Sequence, residues 1–250
     1  MNIYHRTEYP VSLPPEVFDL YLAMGWYRMR QYLFTCSHLF DFNDAMELSG
    51  LRRVWWMRFA IQHIHDDAAH RKMRKKNGHF RYQFSVLDQL TDDDRYLYRI
   101  YRNHIDFDTY DHLEDALWGQ DNSNIIFQSW VLRIYDGEKL IALGVFDKGE
   151  YAASSQIHCY DPAYARHSLG KYLMLLTIDH LKRAGYHWYY PGYVFAGNPK
   201  MDYKLFLGKQ YGEYFNPETE EWLGFDEYIL NAENYSEEAL TEIRKALFRT

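Results

Sequence analysis

The sequence predicts an α+β fold in which a mixed β-sheet is flanked by helices, with a smaller lobe at the N-terminus. The first observation is a hairpin pattern: two alternating apolar runs, Ser129–Tyr135 and Lys139–Asp147, flank Asp136-Gly137, and Asp-Gly supplies the positive φ angles of a tight turn. The second is another strand-like run, Tyr151–Tyr160, followed by a helical periodicity from Ser168 to Ala184. This order predicts a mixed sheet with one helix packed beside it.

The segment after this helix continues the sheet. Gly185 ends the helix, because glycine adopts the left-handed conformation that is common at helix C-termini. A strand is predicted at Trp188–Tyr193, then a loop and the start of a helix over Phe195–Lys204, and a closing region at Trp222–Tyr228. The main domain is therefore expected to span residues 111–250.

The first half of the chain is irregular and rich in aromatic residues and arginine. Prolines at positions 10, 14 and 15 predict an extended lead-in, since proline is excluded from helix interiors. The predicted elements are a helix over Glu16–Met24 that Gly25 ends, and strands over Gln31–Phe34 and Val54–Ile61. Residues 1–110 are expected to form the smaller mixed lobe.

Composition and charge exclude several classes of protein. The first residues include no apolar signal segment, and no stretch approaches the roughly 18 apolar residues of a membrane span, so we expect a cytoplasmic protein. Cys36 and Cys159 lie far apart and lack C-x-x-C neighbours, which argues against a metal site built on thiolates. Because the net charge is -7, any RNA contact must come from a local basic patch.

The most basic stretch lies in a predicted helix from His65 to Asn77, with acidic residues in the first turn and cations in the last, as the helix dipole favours. Its cations include Arg71, Arg74 and Lys75, which are candidates for binding nucleic-acid phosphates. A solvated helix face has the same run of charge, so both interpretations stay open.

Histidines and aspartates around the start of this helix have a spacing that some metal sites share. His63 and Asp67, and likewise Asp66 and His70, are one helical turn apart. No third ligand group follows at a fixed spacing. Paired or exposed polar residues explain the pattern, and no metal site is predicted.

The N-terminus of the helix that begins at Ser168 is a candidate anion site. Ser168, Leu169, Gly170 and Lys171 place backbone N–H groups and the positive end of the helix dipole beside the preceding strand, a setting suited to phosphate. Acetyltransferases bind coenzyme A at this position, but Ala165–Gly170 matches their phosphate loop poorly, with only Arg166 and Gly170 near the expected positions. A purely structural alternative makes Ser168 an N-cap and Gly170 a packing residue.

Three separated motifs stand out. The strongest is Gly192-Tyr193, followed after seven residues by Met201-Asp202-Tyr203-Lys204. The second runs from Ser154-Ser155 through Tyr160-Asp161-Pro162 to Ser168-Leu169-Gly170, and the third is Gly25-Trp26-Tyr27-Arg28 with Tyr32 following. In sequence and order these motifs resemble those of the arginyl- and leucyl-tRNA–protein transferases.

The resemblance implies a GNAT-like acyltransferase domain and an enzyme that moves arginine or leucine from its tRNA to the N-terminus of an acceptor protein. The predicted order of strands and helix is also that of GNAT acyltransferases. No cofactor is implied, because aminoacyl-tRNA is a co-substrate. One departure concerns cysteine: family members usually carry an N-terminal cysteine motif, whereas Cys36 is the only cysteine in this half.

The resemblance also suggests roles for single residues. Tyr203 and Tyr193 are expected to hydrogen-bond the reacting groups, and Asp202 or Asp161 to orient the attacking amine. Lys204 is expected to hold charge near the tRNA end or the acceptor. The alternatives are tyrosine rings that belong to the core, an ordinary turn at Asp161-Pro162, and a solvated lysine.

Arg28 and Arg30 are candidates for binding an acidic residue of the acceptor, since the arginine fork fits a carboxylate. Ion pairing within the protein is the alternative for both. Two rival functions stay open for the whole chain: a coenzyme A-dependent N-acetyltransferase, and a catalytically silent protein that binds tRNA or N-degrons.

Overall fold

The computed structural model describes residues 3–42, 48–106, 109–119, 124–195 and 201–225, and these ranges contain both strands and helices, as predicted. The strands are β1 (His5–Glu8), β2 (Tyr27–Met29), β3 (Tyr32–Cys36), β4 (His38–Phe42), β5 (Leu48–Arg53), β6 (Trp55–Ala60), β7 (Arg81–Val86), β8 (Ser129–Asp136), β9 (Lys139–Lys148), β10 (Ala152–Tyr160), β11 (Trp188–Val194), β12 (Gly212–Asn216) and β13 (Glu221–Gly224). The helices are α1 (Pro15–Ala23), α2 (Ala68–Asn77), α3 (Asp92–Arg102), α4 (Leu113–Leu117) and α5 (Leu169–Arg183), with 3₁₀ helices at Ile61–His63, Pro162–His167, Asp202–Leu207 and Lys209–Tyr211.

The main body is an eight-stranded sheet in the order β13-β12-β6-β11-β10-β9-β8-β7. Strands β10 and β11 are parallel, and the other neighbouring pairs are antiparallel, so the sheet is mixed as predicted. The hairpin predicted around Asp136-Gly137 is confirmed as β8 and β9. Two smaller sheets, β1-β3-β2 and β4-β5, come from the N-terminal part of the chain.

The parallel strands β10 and β11 separate along their length. They pair over three residues, Ala152–Ser154 with Trp188–Tyr190. Beyond this point β10 stays with β9 as far as Tyr160, whereas β11 stays with β6 as far as Val194. Because the strands are parallel, a wedge opens between them at the edge of the sheet where both end. A central helix beside such a splayed pair is the arrangement that the strand order predicted.

Helix α5 connects these two strands and packs across one face of the sheet. Leu173, Met174 and Leu175 are almost completely buried, and Met174 and Leu175 share a core cluster with Phe146 of β9 and Tyr189 of β11. Shortening a leucine at such a position typically costs about 2–5 kcal/mol of unfolding free energy. The N-terminus of α5 is therefore held firmly against the carboxyl end of β10.

Several predicted boundaries shift for local reasons. Helix α2 begins at Ala68 rather than His65, because the Asp67 carboxylate accepts a hydrogen bond from the His70 N–H and caps the helix. The strand predicted at Gln31–Phe34 is β3, and a turn with Arg30 at φ 54° joins it to β2. Helix α1 and strand β6 lie close to their predicted bounds.

The N-terminal half also contributes to the large sheet. Strands β6 and β7 both precede residue 110, and they pair with β11 and β8, respectively. The division of the chain at residue 110 stays a prediction.

Two predicted segments near the C-terminus are only partly described. The loop predicted within Phe195–Lys204 includes residues 196–200, and the predicted closing region includes residues 226–228, which lie outside the described residues. The predicted helix start is confirmed at Asp202–Leu207.

Candidate active site

A cavity of about 460 Å³ lies where β10 ends and α5 begins. Five parts of the chain meet there: the end of β10, the turn after it, the first turn of α5, the 3₁₀ helix Asp202–Leu207, and the end of α3 with the residues that follow. The lining residues are Tyr101, His104, Ile105, Asp106, His158, Tyr160, Ala165, Ser168, Gly170, Lys171 and Tyr203. The cavity is therefore walled by tyrosine and histidine, with a cation at the helix end.

The start of α5 contributes three of the residues predicted to bind the donor. Ser168 occupies the N-cap position of α5 with a left-handed backbone (φ 51°), as the structural alternative expected, but its side chain makes no capping hydrogen bond. A methyl group at Gly170 would meet open space, so this backbone is accessible from the cavity. Lys171 also lines the cavity, and its Nζ lies 5.1 Å from the centre of the Phe206 ring. Leu169, the fourth predicted residue, is fully buried in the core.

Gly192-Tyr193 and the 3₁₀ helix with Lys204 form one packed unit. Gly192 has φ 99°, and a side chain there would approach the Lys204 Nζ to 3.2 Å. The ammonium of Lys204 donates a hydrogen bond to the carbonyl oxygen of Tyr193 at 2.6 Å. Burial lowers the pKa of Lys204 to about 7, since the charged form loses hydration. A large fraction of this amine is therefore neutral near pH 7.

The two predicted tyrosines have different positions. Tyr203 lines the cavity, and its pKa is raised by burial and by the nearby Tyr189 and Tyr160. Its hydroxyl therefore stays protonated and can donate a hydrogen bond. Tyr193 is absent from the cavity wall; its ring packs edge-on against Trp56 at 5.1 Å. Tyr203 is thus placed to contact a ligand, and Tyr193 supports Lys204 from behind.

His158 belongs to the cavity wall but was not predicted. Its Nε2 lies 3.2 Å from the Ser155 hydroxyl, while its buried Nδ1 has no hydrogen-bond partner among the described residues. Burial, and then the positive charge of Lys204, lower the pKa of His158 to about 4. The imidazole is therefore neutral at pH 7. It fits because residue 144 on the paired strand is glycine; a side chain there would lie 3.2 Å from the ring.

The two predicted aspartates do not line the cavity. Asp161 accepts a hydrogen bond from the Ala163 N–H and pairs with Lys139 at 2.6 Å, so it stabilises the turn before α5. Burial raises the pKa of Asp161, but the Lys139 and Ala163 hydrogen bonds outweigh it, and the net pKa is below its usual value. These contacts support the turn interpretation. Asp202 is exposed at the start of its 3₁₀ helix.

The structure corrects the interpretation of Arg28. This guanidinium is buried, pairs with Asp147 at 2.6 Å, and also donates to the Ser129 hydroxyl and the Leu117 carbonyl. No exposed surface remains for an acceptor carboxylate, so Arg28 is a core ion pair. Arg30 lies over the Tyr110 ring at 4.4 Å, and its Nε donates to the Asp115 carbonyl.

The basic helix α2 lies next to the turn that leads into α5. The Lys76 ammonium donates to the Arg166 carbonyl within that turn. Arg71 and Lys75 are exposed, and Arg71 bonds the Asp66 carbonyl at 2.7 Å. Arg74 instead bridges the carboxylates of Asp66 and Asp179, so its charge is already balanced inside the protein. The exposed cations form a basic surface on the helix that contacts the turn before α5.

The histidines and aspartates before α2 serve the fold. The His70 ring is buried and its Nε2 lies 2.6 Å from the Phe206 carbonyl oxygen, while Asp67 caps the helix. Within the described ranges, no group of three His, Cys, Asp or Glu side chains is arranged to hold a metal ion. The same part of the chain contains no helix that is both long and apolar enough to cross a membrane.

The part of the chain that contains the cavity is similar to known proteins. Residues 59–212 match the family described as arginine-tRNA-protein transferase, C terminus, and every residue of the cavity wall lies inside this span. The chain is 29% identical over 180 residues to arginyl-tRNA–protein transferase 1 of Drosophila melanogaster, covering 69% of this chain and 35% of the fly protein. It is 24% identical over 205 residues to an aspartate/glutamate leucyltransferase of Leptospira interrogans, covering 79% of this chain and 74% of that protein.

Further relatives agree in name. Over 76 residues the chain is 38% identical to arginyl-tRNA–protein transferase 1 of Saccharomyces cerevisiae, which is 30% of this chain and 15% of the yeast protein. This chain thus spans a minor part of the fly and yeast relatives. Among solved structures, a domain of a putative lysylphosphatidylglycerol synthetase from Agrobacterium fabrum superposes with a TM-score of 0.45 at 13% identity, covering 62% of this chain and 52% of that one.

Proposed function

Because the chain belongs to the arginine-tRNA–protein transferase family, we propose that it transfers an amino acid, arginine or leucine, from an aminoacyl-tRNA to the N-terminus of an acceptor protein. The observation that carries this proposal is the cavity at the start of α5. Its wall combines residues from two of the family-like motifs, including Ser168, Gly170 and Tyr203, with a cation. We place the reaction in the cytoplasm, where charged tRNA is available.

The chemistry of the cavity suits the 3′ end of a charged tRNA. Aromatic rings such as Tyr101 and Tyr160 provide faces on which a terminal base can stack. The N-terminus of α5 and the Lys171 ammonium favour a phosphate. Beyond the cavity mouth, the exposed cations of α2 extend the positive surface along the path that an acceptor stem would take.

The reaction needs positioning more than activation of the donor. The ester between the amino acid and the ribose is already reactive, and the N-terminal amine of a protein has a pKa of about 7.7–8.0, so a useful fraction is neutral. The amine nitrogen attacks the ester carbonyl carbon, the bond to the ribose oxygen breaks, and that oxygen takes up the proton that the nitrogen loses. Holding both partners together accounts for most of the required rate.

The residues in and behind the cavity wall have different roles in this reaction. The Tyr203 hydroxyl, protonated at every physiological pH, donates a hydrogen bond to the ester oxygen on which negative charge develops. Neutral His158 accepts a hydrogen bond from the attacking amine or from an intervening water. Lys204 fixes the strand behind them through the Tyr193 carbonyl, and its partly neutral amine repels an incoming ammonium less than a full charge would.

The first test combines charged donors with defined acceptors. Purified protein is incubated with tRNA pools carrying radiolabelled arginine, leucine or other amino acids, and with peptides that begin with each amino acid. Label in peptide from the arginyl or leucyl pool supports the proposal. Absence of label together with thermal stabilisation by acetyl-coenzyme A supports an acetyltransferase instead. Binding of tRNA or peptide without any transfer indicates a non-catalytic relative.

A further inference from the structure

Asn77, the last residue of the basic helix α2, binds the turn that leads into α5. Its side-chain nitrogen donates to the His167 carbonyl oxygen at 3.0 Å, and its side-chain oxygen lies 2.9 Å from the His167 Nδ1. Asn77 is completely buried, and His167 is nearly so. One asparagine side chain therefore contacts both the backbone and the imidazole of the residue that immediately precedes Ser168.

The hydrogen bonds around His167 are mutually consistent. Because the Asn77 side-chain nitrogen donates to a carbonyl, its oxygen is an acceptor, so the His167 Nδ1 must carry the ring proton. The other ring nitrogen, Nε2, is then an acceptor, and the Arg166 Nε lies 3.3 Å away as its donor. Burial, followed by the charges of Arg166 and Lys76, lowers the pKa of His167, which keeps the ring neutral at pH 7.

The residue that follows His167 has an unfavourable backbone conformation. Ser168 is left-handed, with φ 51° and ψ 49°. For a residue other than glycine this conformation reduces the population by about fivefold to thirtyfold. The Ser168 side chain makes no capping hydrogen bond that could offset this cost. The two contacts between Asn77 and His167 are adjacent to Ser168 and can hold it in this conformation.

The left-handed turn determines which donors the start of α5 offers to a ligand. The Ser168 carbonyl accepts hydrogen bonds from the N–H groups of Lys171 and Tyr172, so the helix begins directly after the turn. Because the Ser168 side chain does not cap the helix, the N–H groups of Leu169 and Gly170 have no hydrogen-bond partner among the described residues. These N–H groups lie at the helix end for which a donor phosphate is proposed.

We propose that Asn77 is a positioning residue for the donor site: through His167 it holds Ser168 in the left-handed conformation that leaves the first N–H groups of α5 available to the tRNA. This inference rests on the proposed function. It gives α2 a second role besides its exposed cations, because Asn77 ends the same helix. The basic surface of α2 and the start of α5 are joined by direct contacts, which include that of Lys76 with the Arg166 carbonyl.

The first experiment measures the conformation of residue 168 without any substrate. The Cα and Cβ chemical shifts of Ser168 are compared by NMR in wild type, Asn77→Ala and Gln31→Ala. Gln31→Ala is the matched control, because the Gln31 side chain also bonds two backbone groups, the Leu117 carbonyl and the Ile126 N–H, outside the cavity wall. We expect the shifts to leave the left-handed range in Asn77→Ala alone. Shifts that stay left-handed in Asn77→Ala overturn the inference.

A second variant keeps this test decisive if Asn77→Ala does not fold. Asn77→Asp retains the size of the side chain and an acceptor oxygen for the His167 Nδ1, but it loses the donor to the His167 carbonyl. The same departure of the Ser168 shifts from the left-handed range is expected, and unchanged shifts overturn the inference here as well.

The second experiment measures transfer from charged tRNA. Asn77→Ala is expected to raise KM for charged tRNA about fivefold to thirtyfold, the cost of the left-handed conformation, and to leave KM for the acceptor peptide unchanged. Adding Ser168→Gly to Asn77→Ala is expected to restore KM for charged tRNA, because glycine adopts this conformation without cost. A residue that only stabilises the fold would change the melting temperature and neither KM.

Three kinetic results overturn the inference: an unchanged KM for charged tRNA in Asn77→Ala, the same rise in Gln31→Ala, or no recovery when Ser168→Gly is added. Failure of the proposed function is distinguishable. If wild-type protein transfers nothing from any charged tRNA, the chemical shifts still decide whether Asn77 holds Ser168. Equilibrium binding of charged tRNA then replaces KM, and equal binding by wild type and Asn77→Ala refutes a role of Asn77 at the donor site.

Discussion

The ammonium of Lys204 donates to the carbonyl oxygen of Tyr193 at 2.6 Å, in a space that stays open because residue 192 is glycine. Two sequence motifs, Gly192-Tyr193 and Met201–Lys204, are therefore the two sides of one contact. The contact ties the end of β11 to the 3₁₀ helix that carries Tyr203 into the cavity. Lys204 is therefore a buried lysine whose hydrogen-bond partners, among the described residues, include no carboxylate.

The buried lysine predicts a stability that rises with pH in the alkaline range. The pKa of Lys204 falls from its ordinary value near 10.5 to about 7 on folding, so between these values the unfolded chain binds one proton more than the folded chain. The free energy of unfolding gains about 1.4 kcal/mol per pH unit from this group over pH 7.5–9.5. Chemical denaturation at several pH values measures the slope.

Lys204→Met removes that contribution. We expect its free energy of unfolding to rise less steeply over pH 7.5–9.5 than that of wild type, by about 1.4 kcal/mol per pH unit, which corresponds to one bound proton. Lys148→Met is a useful comparison. Burial lowers the pKa of Lys148 to about 8, so the contribution of Lys148 to the pH dependence of stability begins at a higher pH. Equal slopes for wild type and Lys204→Met would show that Lys204 is charged in the folded state at neutral pH.

Tyr203→Phe separates catalysis from folding. The change removes one hydroxyl from the cavity wall and keeps the ring, so transfer is expected to fall about tenfold to thousandfold with little change in KM. The melting temperature is expected to stay within about 2 °C. Tyr186→Phe, which removes a hydroxyl bonded to the Gly149 carbonyl outside the cavity wall, serves as the control and should keep full activity. Equal activity of both variants would remove Tyr203 from the mechanism.

The order of elements around α5 was predictable because each signal is local: an Asp-Gly turn, a helical periodicity and a glycine stop. His158 was not, because a bulge between Ser155 and Ile157 shifts the strand by one residue. Ser155 and His158, three residues apart, therefore face the same side, which simple alternation does not anticipate. The burial of Arg28 was also hidden, since its partner Asp147 lies 119 residues away in sequence.

The exposed cations of α2 are predicted to govern the salt dependence of tRNA binding. Replacing Arg71, Lys72, Lys75 and Lys76 by glutamine should reduce the slope of log K against log salt concentration by about two to four, because the variant neutralises fewer phosphates and so releases fewer counterions. Arg183→Gln, at the far end of α5, should leave the slope unchanged. If the fourfold variant has the wild-type slope, this face of α2 does not bind tRNA.

Arg74 should behave differently from its neighbours. It bridges Asp66 and Asp179, so Arg74→Gln leaves two carboxylates without their partner. We therefore expect a lower melting temperature with a nearly normal salt slope. Thermal denaturation and filter binding on the same preparation distinguish this outcome from the one expected for the exposed cations.

Two glycines provide a last pair of opposite outcomes. Gly192→Ala places a methyl group 3.2 Å from the Lys204 Nζ at a backbone angle of φ 99°, so it should destabilise the fold by about 1–3 kcal/mol and also reduce transfer.

Gly170→Ala adds a methyl group in open space inside a helix, which should leave stability unchanged or raise it by about 0.5–1 kcal/mol. That methyl group faces the cavity wall at the start of α5. Its expected effect is a higher KM for charged tRNA, and an unchanged KM would mean that the donor does not approach this backbone.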